Sequence, residues 1–272
     1  MADLIFRTVY GLILTIIHTI YAFYTSVRST YNITRLRIAS ILNYHHRTPA
    51  NIRKDVALLK KLPDHVAVIL ESKGKKEGGV EKLIDEVADL SCWCASVGVA
   101  TLTVYQKTGM LKNYETPAHR AVSERLHTYF GSTRPTFRIT SPHSPNAPSL
   151  PPNGDAVHDE EEVDLEINFV AQDDGRESIV DFTRALSDLA QGGKFNSEDV
   201  SVDLIDQEMK ASVMGEPDLL ILFTPRVFLQ GFPPWQIRLT EIFHLEDNEG
   251  VSYTVFLKAL HKFAGAEMRW GR

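Results

Sequence analysis

Two ends of one short stretch near the carboxy terminus, Arg269 and Gly271, are the groups best suited to hold an anion. A guanidinium offers charged donors in a fork that matches phosphate, and a glycine lets its backbone N–H approach without a Cβ in the way. Three letters at a chain end otherwise read as fraying. Glu71, which closes an apolar run, is a carboxylate that could hold a metal ion. After it, Lys73 to Gly79 (KGKKEGG) lacks the spacing of a phosphate loop and reads as solvated. Cys92 and Cys94 are the only cysteines, too few for a disulfide framework or a zinc site, and read as reduced core thiols. His158, beside a run of acids, reads as solvated charge, so no metal site is expected of this chain.

The elements that must position these groups follow an alternating pattern. His65 to Glu71, Val99 to Tyr105, Thr136 to Thr140, Leu165 to Ala171 and Leu219 to Phe223 read as strands. Leu219 to Phe223 is an unbroken apolar run, expected for a strand buried on both faces of a parallel sheet. Between the strands lie helical patterns, among them Val80–Ser96, 116–130, one with Ile179, Phe182, Leu186 and Leu189 as its buried side, 199–211, and a last helix capped by Ser252. The fold class is therefore α/β, a mainly parallel central sheet flanked by helices, within residues 63–272. Residues 141–164, rich in proline, serine and acids, read as a disordered insertion.

Residues 8–27 contain no formal charge, and about 20 such residues span a hydrocarbon core of about 30 Å. Residues 1–27 therefore read as one retained amino-terminal membrane anchor, and 28–62 as a basic, partly helical bridge on anionic headgroups or in solvent. His18 inside the span reads as a neutral side chain. Arg28, Arg35, Arg37, Arg47, Arg53, Lys54, Lys60 and Lys61 follow the span, which places the large carboxy-terminal part in the cytosol. The Asn32-Ile33-Thr34 sequon would then stay unmodified. With 29 Lys+Arg against 35 Asp+Glu, a net charge of −6 argues against nucleic acid as a partner.

The stretch from Asp218 to Gln236, followed by Glu241, resembles the last signature of the cis-prenyltransferases. In catalytic members the resemblance implies two arginines, a glutamate and a serine that grip isopentenyl diphosphate and its magnesium. Here those positions are Leu222, Arg226, Phe228 and Gln230. The first strand of catalytic members opens with a histidine and ends in Asp-Gly-Asn-x-Arg. The matching positions here are Glu71, Ser72, Lys73 and Lys75, which removes the phosphate-cradling turn. A Ser-x-x-Asn turn after the second strand is also missing, replaced by Gln106 to Met110. Yet Arg269-x-Gly271 stands where the family carries the motif that crosses the dimer interface into the partner's site.

The resemblance covers about Leu62 to Arg272. It is nearest to the membrane-anchored accessory subunits of eukaryotic dehydrodolichyl diphosphate synthase, a group that includes the Nogo-B receptor. It implies an endoplasmic-reticulum subunit with no complete active site, whose Arg269 and Gly271 complete the isopentenyl diphosphate site of a catalytic cis-prenyltransferase partner. That partner would hold Mg2+ and use farnesyl diphosphate on the way to dolichol. Phe232, Trp235, Arg238 and Glu241 have the aromatic-and-arginine character of an interface centre, and the resemblance implies that they form one. Two alternatives are a divergent single-chain prenyltransferase using Glu71, and a membrane receptor or scaffold without a catalytic role.

Overall fold

A computed structural model describes residues 2–42, 48–72, 78–142, 163–193, 196–248 and 250–267. Six strands form one sheet in the order β3-β4-β2-β1-β5-β6: β1 His65–Leu70, β2 Thr101–Gln106, β3 Phe137–Thr140, β4 Leu165–Val170, β5 Leu219–Leu222 and β6 Glu241–His244. Every pairing in it is parallel. The sheet extends from β1 both ways, through β2 and β4 to β3 and through β5 to β6, the chain reaching the edge strand β3 before it returns to β4. The carboxy ends of β1 and β5 therefore flank the point where strand order reverses, the usual ligand crevice of such sheets.

One sheet face is covered by α3 (Gly79–Val97), α4 (Glu115–Phe130) and α7 (Tyr253–Gly265), which bury Leu83, Leu90, Trp93, Val122, Leu126, Phe256 and Leu260 against Val66, Val68, Leu102, Val104, Ile167, Leu219 and Ile221. Cys92 and Cys94 lie in α3 as buried free thiols, and burial pushes both up. The other face is smaller, with Ala67, Ile69, Tyr105, Val170, Leu220 and Leu222 meeting Val213, Met214 and Phe232. It also carries partly buried His65, its Nε2 2.8 Å from Oγ1 of buried Thr103. Burial lowers His65 to about 4, against the opposing carboxylate of Asp218.

Several elements depart from the sequence expectation. α1 runs unbroken from Ala2 to Leu42, so the helix continues well past residue 27. Within the 28–62 stretch, α2 (Pro49–Val56) is no solvated bridge: Ile52 and Val56, four apart on one helix face, are buried in the main core. β6 was not anticipated, because the 236–242 segment carried no clear alternation. α6 (Val202–Ser212) is capped by the Ser201 hydroxyl, which accepts from the Leu204 N–H at 3.1 Å. Ser252 precedes α7 without a side-chain cap bond. Most of the 141–164 insertion, Lys73 and the tail with Arg269 and Gly271 lie outside the described residues.

Residues Phe6–Arg35 of α1 are long and apolar enough to cross a membrane, and their most apolar part is not buried within the protein. The helix meets the domain only further on. Thr25, Ser29, Asn32 and Ile33, all on one face, are partly covered. Ser29 Oγ donates to Asp247 Oδ1 at 3.2 Å, Asn32 Nδ2 donates to Asp247 Oδ2 at 3.0 Å, and Arg28 pairs with Glu246 at 2.6 Å.

Candidate functional site

Among the described residues, little space is left at the reversal point. β1 ends in Leu70 and exposed Glu71, β5 ends in Leu222 and buried Phe223, and the cavity between them is about 20 Å³, lined by Leu70, Glu71, Lys82, Leu83, Glu86, Phe223, Pro225 and Val251 among others. That is room for about one water molecule. The Lys82 ammonium lies 4.0 Å from the Glu86 carboxylate. Mg2+ keeps several waters and wants an octahedron of oxygens. Glu71 and Glu86 border the cavity, but Glu86 is opposed by an ammonium, and so little space among the described residues does not fit the ion with its waters.

The loop after β5 is pinned in a shape of its own. Thr224 Oγ1 donates to the Arg226 carbonyl at 2.7 Å, and His244 Nε2 lies 3.1 Å from the Thr224 carbonyl. Tyr105 Oη donates to the Gln230 carbonyl at 2.7 Å and holds Gln230 at a φ of 54°, a left-handed conformation that non-glycine residues seldom adopt. Leu222 is in the core, Arg226 and Phe228 project to the surface, and Ser72 is partly covered. Among the described residues, these positions thus differ in burial rather than sharing one enclosed pocket.

The loop rests on the Asp173-Asp174-Gly175 turn. A Cβ on Gly175 would lie 2.9 Å from the Gly231 carbonyl oxygen, so the glycine permits this close approach. Asp174, 1% exposed, accepts from the Ala171 N–H at 2.8 Å and from Lys112 Nζ at 2.7 Å.

Of the four residues expected at an interface, Phe232 is used internally, its ring 5.2 Å from that of Tyr105. Trp235 is half-buried and donates its indole N–H to Asp206 at 3.1 Å, while the Arg238 guanidinium stacks 4.2 Å over the indole and reaches Asp206 at 2.8 Å. Lys210, then Trp235, hold Asp206 below its usual carboxylate range. Glu241 opens the edge strand β6 and faces Lys262 of α7 at 3.7 Å. Beside this network Leu239 and Ile242 are exposed.

The sequence missed a larger feature. α5 (Arg176–Gln191) was expected to bury Ile179, Phe182, Leu186 and Leu189, yet the first three are only partly covered and Leu189 is 44% exposed. The main packing neighbours of α5 are the Gln172–Asp174 turn and α6, so no layer among the described residues closes over its apolar stripe. Val200 and Val202, at the start of α6, extend the uncovered surface. Helical periodicity identified the stripe correctly; it carries no information on what covers it.

Lys61 Nζ donates to the Ala266 carbonyl at 2.9 Å and lies 4.5 Å from the centre of the Phe263 ring, fixing the point from which the last residues leave.

No protein-family model matches the chain. The dehydrodolichyl diphosphate synthase complex subunit nus1 of Schizosaccharomyces pombe is 41% identical over 234 residues, 86% of this chain and 86% of the relative. The corresponding subunit of Saccharomyces cerevisiae is 35% identical over 276 residues, 97% of this chain and 74% of the relative. Among solved structures, lavandulyl diphosphate synthase from Lavandula x intermedia in complex with dimethylallyl diphosphate has a TM-score of 0.53, covering 78% of this chain and 99% of its own at 18% identity, a likeness of fold. A parallel sheet with helices on its faces, an apolar amino-terminal helix and this extent of identity place the chain in the family of dehydrodolichyl diphosphate synthase complex subunits.

Proposed function

We propose that this chain is the non-catalytic, membrane-anchoring member of a heteromeric dehydrodolichyl diphosphate synthase. A catalytic companion holds Mg2+ and extends farnesyl diphosphate with isopentenyl diphosphate towards dolichol for glycosylation. The observation that carries this reading is the narrow crevice among the described residues: about 20 Å³ between the ends of β1 and β5, bordered by Leu83 and Phe223. The uncovered stripe of α5 and α6, with Trp235, Arg238, Leu239 and Ile242 nearby, offers the companion a surface. Arg269 and Gly271 then act in the companion's site as diphosphate-binding groups. α1 anchors the complex in the endoplasmic-reticulum membrane, and the basic residues after the span keep the domain cytosolic.

The test is prenyl transfer measured on the purified chain, on the companion and on the two together. The chain alone yields no product, and the pair does. Arg269→Ala leaves the complex assembled and lowers turnover on the order of 10²-fold, as expected for loss of a positioned donor. Product from the isolated chain, or unchanged turnover in the variant, overturns the reading. Glycosidase-sensitive modification of Asn32 in cells would overturn the orientation. It would also conflict with the Asn32–Asp247 hydrogen bond.

A further inference from the structure

The loop after β5 holds two apolar side chains out of the domain at the level where α1 leaves its apolar stretch. Val227 is 66% exposed and Phe228 63% exposed. They are not on a slack segment: the Thr224 hydroxyl on the Arg226 carbonyl and the Tyr105 hydroxyl on the Gln230 carbonyl fix the backbone on both sides. Pro225, Arg226 and Val227 share one open cavity with Thr25 and Arg28 of α1 and with His244, Glu246 and Asp247. The loop therefore lies beside the α1 turn at residues 25–28.

That turn has a definite depth. The charge-free stretch 8–27 is helical throughout, and at 1.5 Å per residue it covers about 30 Å, the thickness of a hydrocarbon core. Arg28 is the first charge after it, so Thr25 and Arg28 belong at the headgroup boundary, and a loop touching them lies at the same height. There, partly exposed aromatic and aliphatic groups meet acyl chains and an arginine meets phosphates. We infer that Val227 and Phe228 enter the lipid surface, with Arg226 beside the headgroup phosphates, as a second membrane contact that sets the tilt of the domain on α1. The inference rests on α1 spanning the membrane. A bilayer is the occupant favoured here because the patch adjoins the membrane helix itself.

The experiment uses the full chain with its catalytic companion in vesicles of phosphatidylcholine and phosphatidylserine. An environment-sensitive fluorophore is attached through Phe228→Cys, Ile17→Cys or Ser132→Cys. Cys92 and Cys94 are buried and add no label. Ser132 is exposed near β3, at the sheet edge opposite β6. Spin-labelled lipids report depth. The expected result is quenching at position 17 by deep labels and at position 228 by shallow labels, severalfold stronger than at 132. Position 17 in lipid with position 228 in water overturns the second contact and leaves the anchor standing. Equal shielding of position 228 in detergent whenever the companion is present also overturns it, in favour of a protein cover. Position 17 in water removes the anchor and the inference together.

Discussion

Lys112 and Asp174 are a charge pair on which the post-β5 loop depends, because Asp174 is almost fully enclosed and also receives the Ala171 N–H. Removing one member of such a pair strands a buried charge. Lys112→Met should therefore lower unfolding free energy by about 3–5 kcal/mol in denaturant titration. His65 makes a separate prediction. Its folded value is lowered to about 4 by burial, while an unfolded histidine takes a proton near 6.5. The unfolded chain thus binds more protons between these values, so stability is full above about pH 6.5 and falls on the order of 3 kcal/mol by pH 4. Urea midpoints across that window should show the slope, and His65→Gln should flatten it.

The elements were legible wherever burial was two-sided or composition extreme. β5 announced itself as Leu219-Leu220-Ile221-Leu222, with every residue buried, and α1 as a long charge-free run. β6 escaped because an edge strand of four residues, with Ile242 exposed and only Phe243 buried, shows too little alternation to read. α2 escaped because Arg53 and Lys54 dominate its composition, although Ile52 and Val56 carry its packing. The degenerate site positions were legible only through resemblance; that Phe228 would stand in solvent while Leu222 entered the core depends on loop shape, which no residue type states. α5 belongs to a third kind, an apolar face without a cover among the described residues. Leu189→Asp should leave the melting temperature nearly unchanged, since that side chain is already 44% exposed. It should weaken association with the catalytic companion at least about fivefold in a binding assay, the scale of an interface residue contributing more than about 1 kcal/mol.

Across the whole molecule, the domain begins earlier than its strands do. A chain starting at Thr48 keeps Ile52 and Val56 in the core and should fold with near-native stability. One starting at Pro63 loses both and should melt about 10 °C lower, from about 3–6 kcal/mol of lost burial. Differential scanning calorimetry of the two separates these outcomes. The Lys61 contact to the Ala266 carbonyl sets a geometric limit of another kind. Three residues further on, the backbone of Arg269 can lie no more than about 11 Å away even when fully extended. So short a leash acts as a ruler. On the proposed reading, the neighbour that receives that guanidinium must bring the mouth of its cavity up to the Lys61 corner, and spacer residues inserted after Glu267 would let the hand miss its lock while every other contact between the subunits stayed in place.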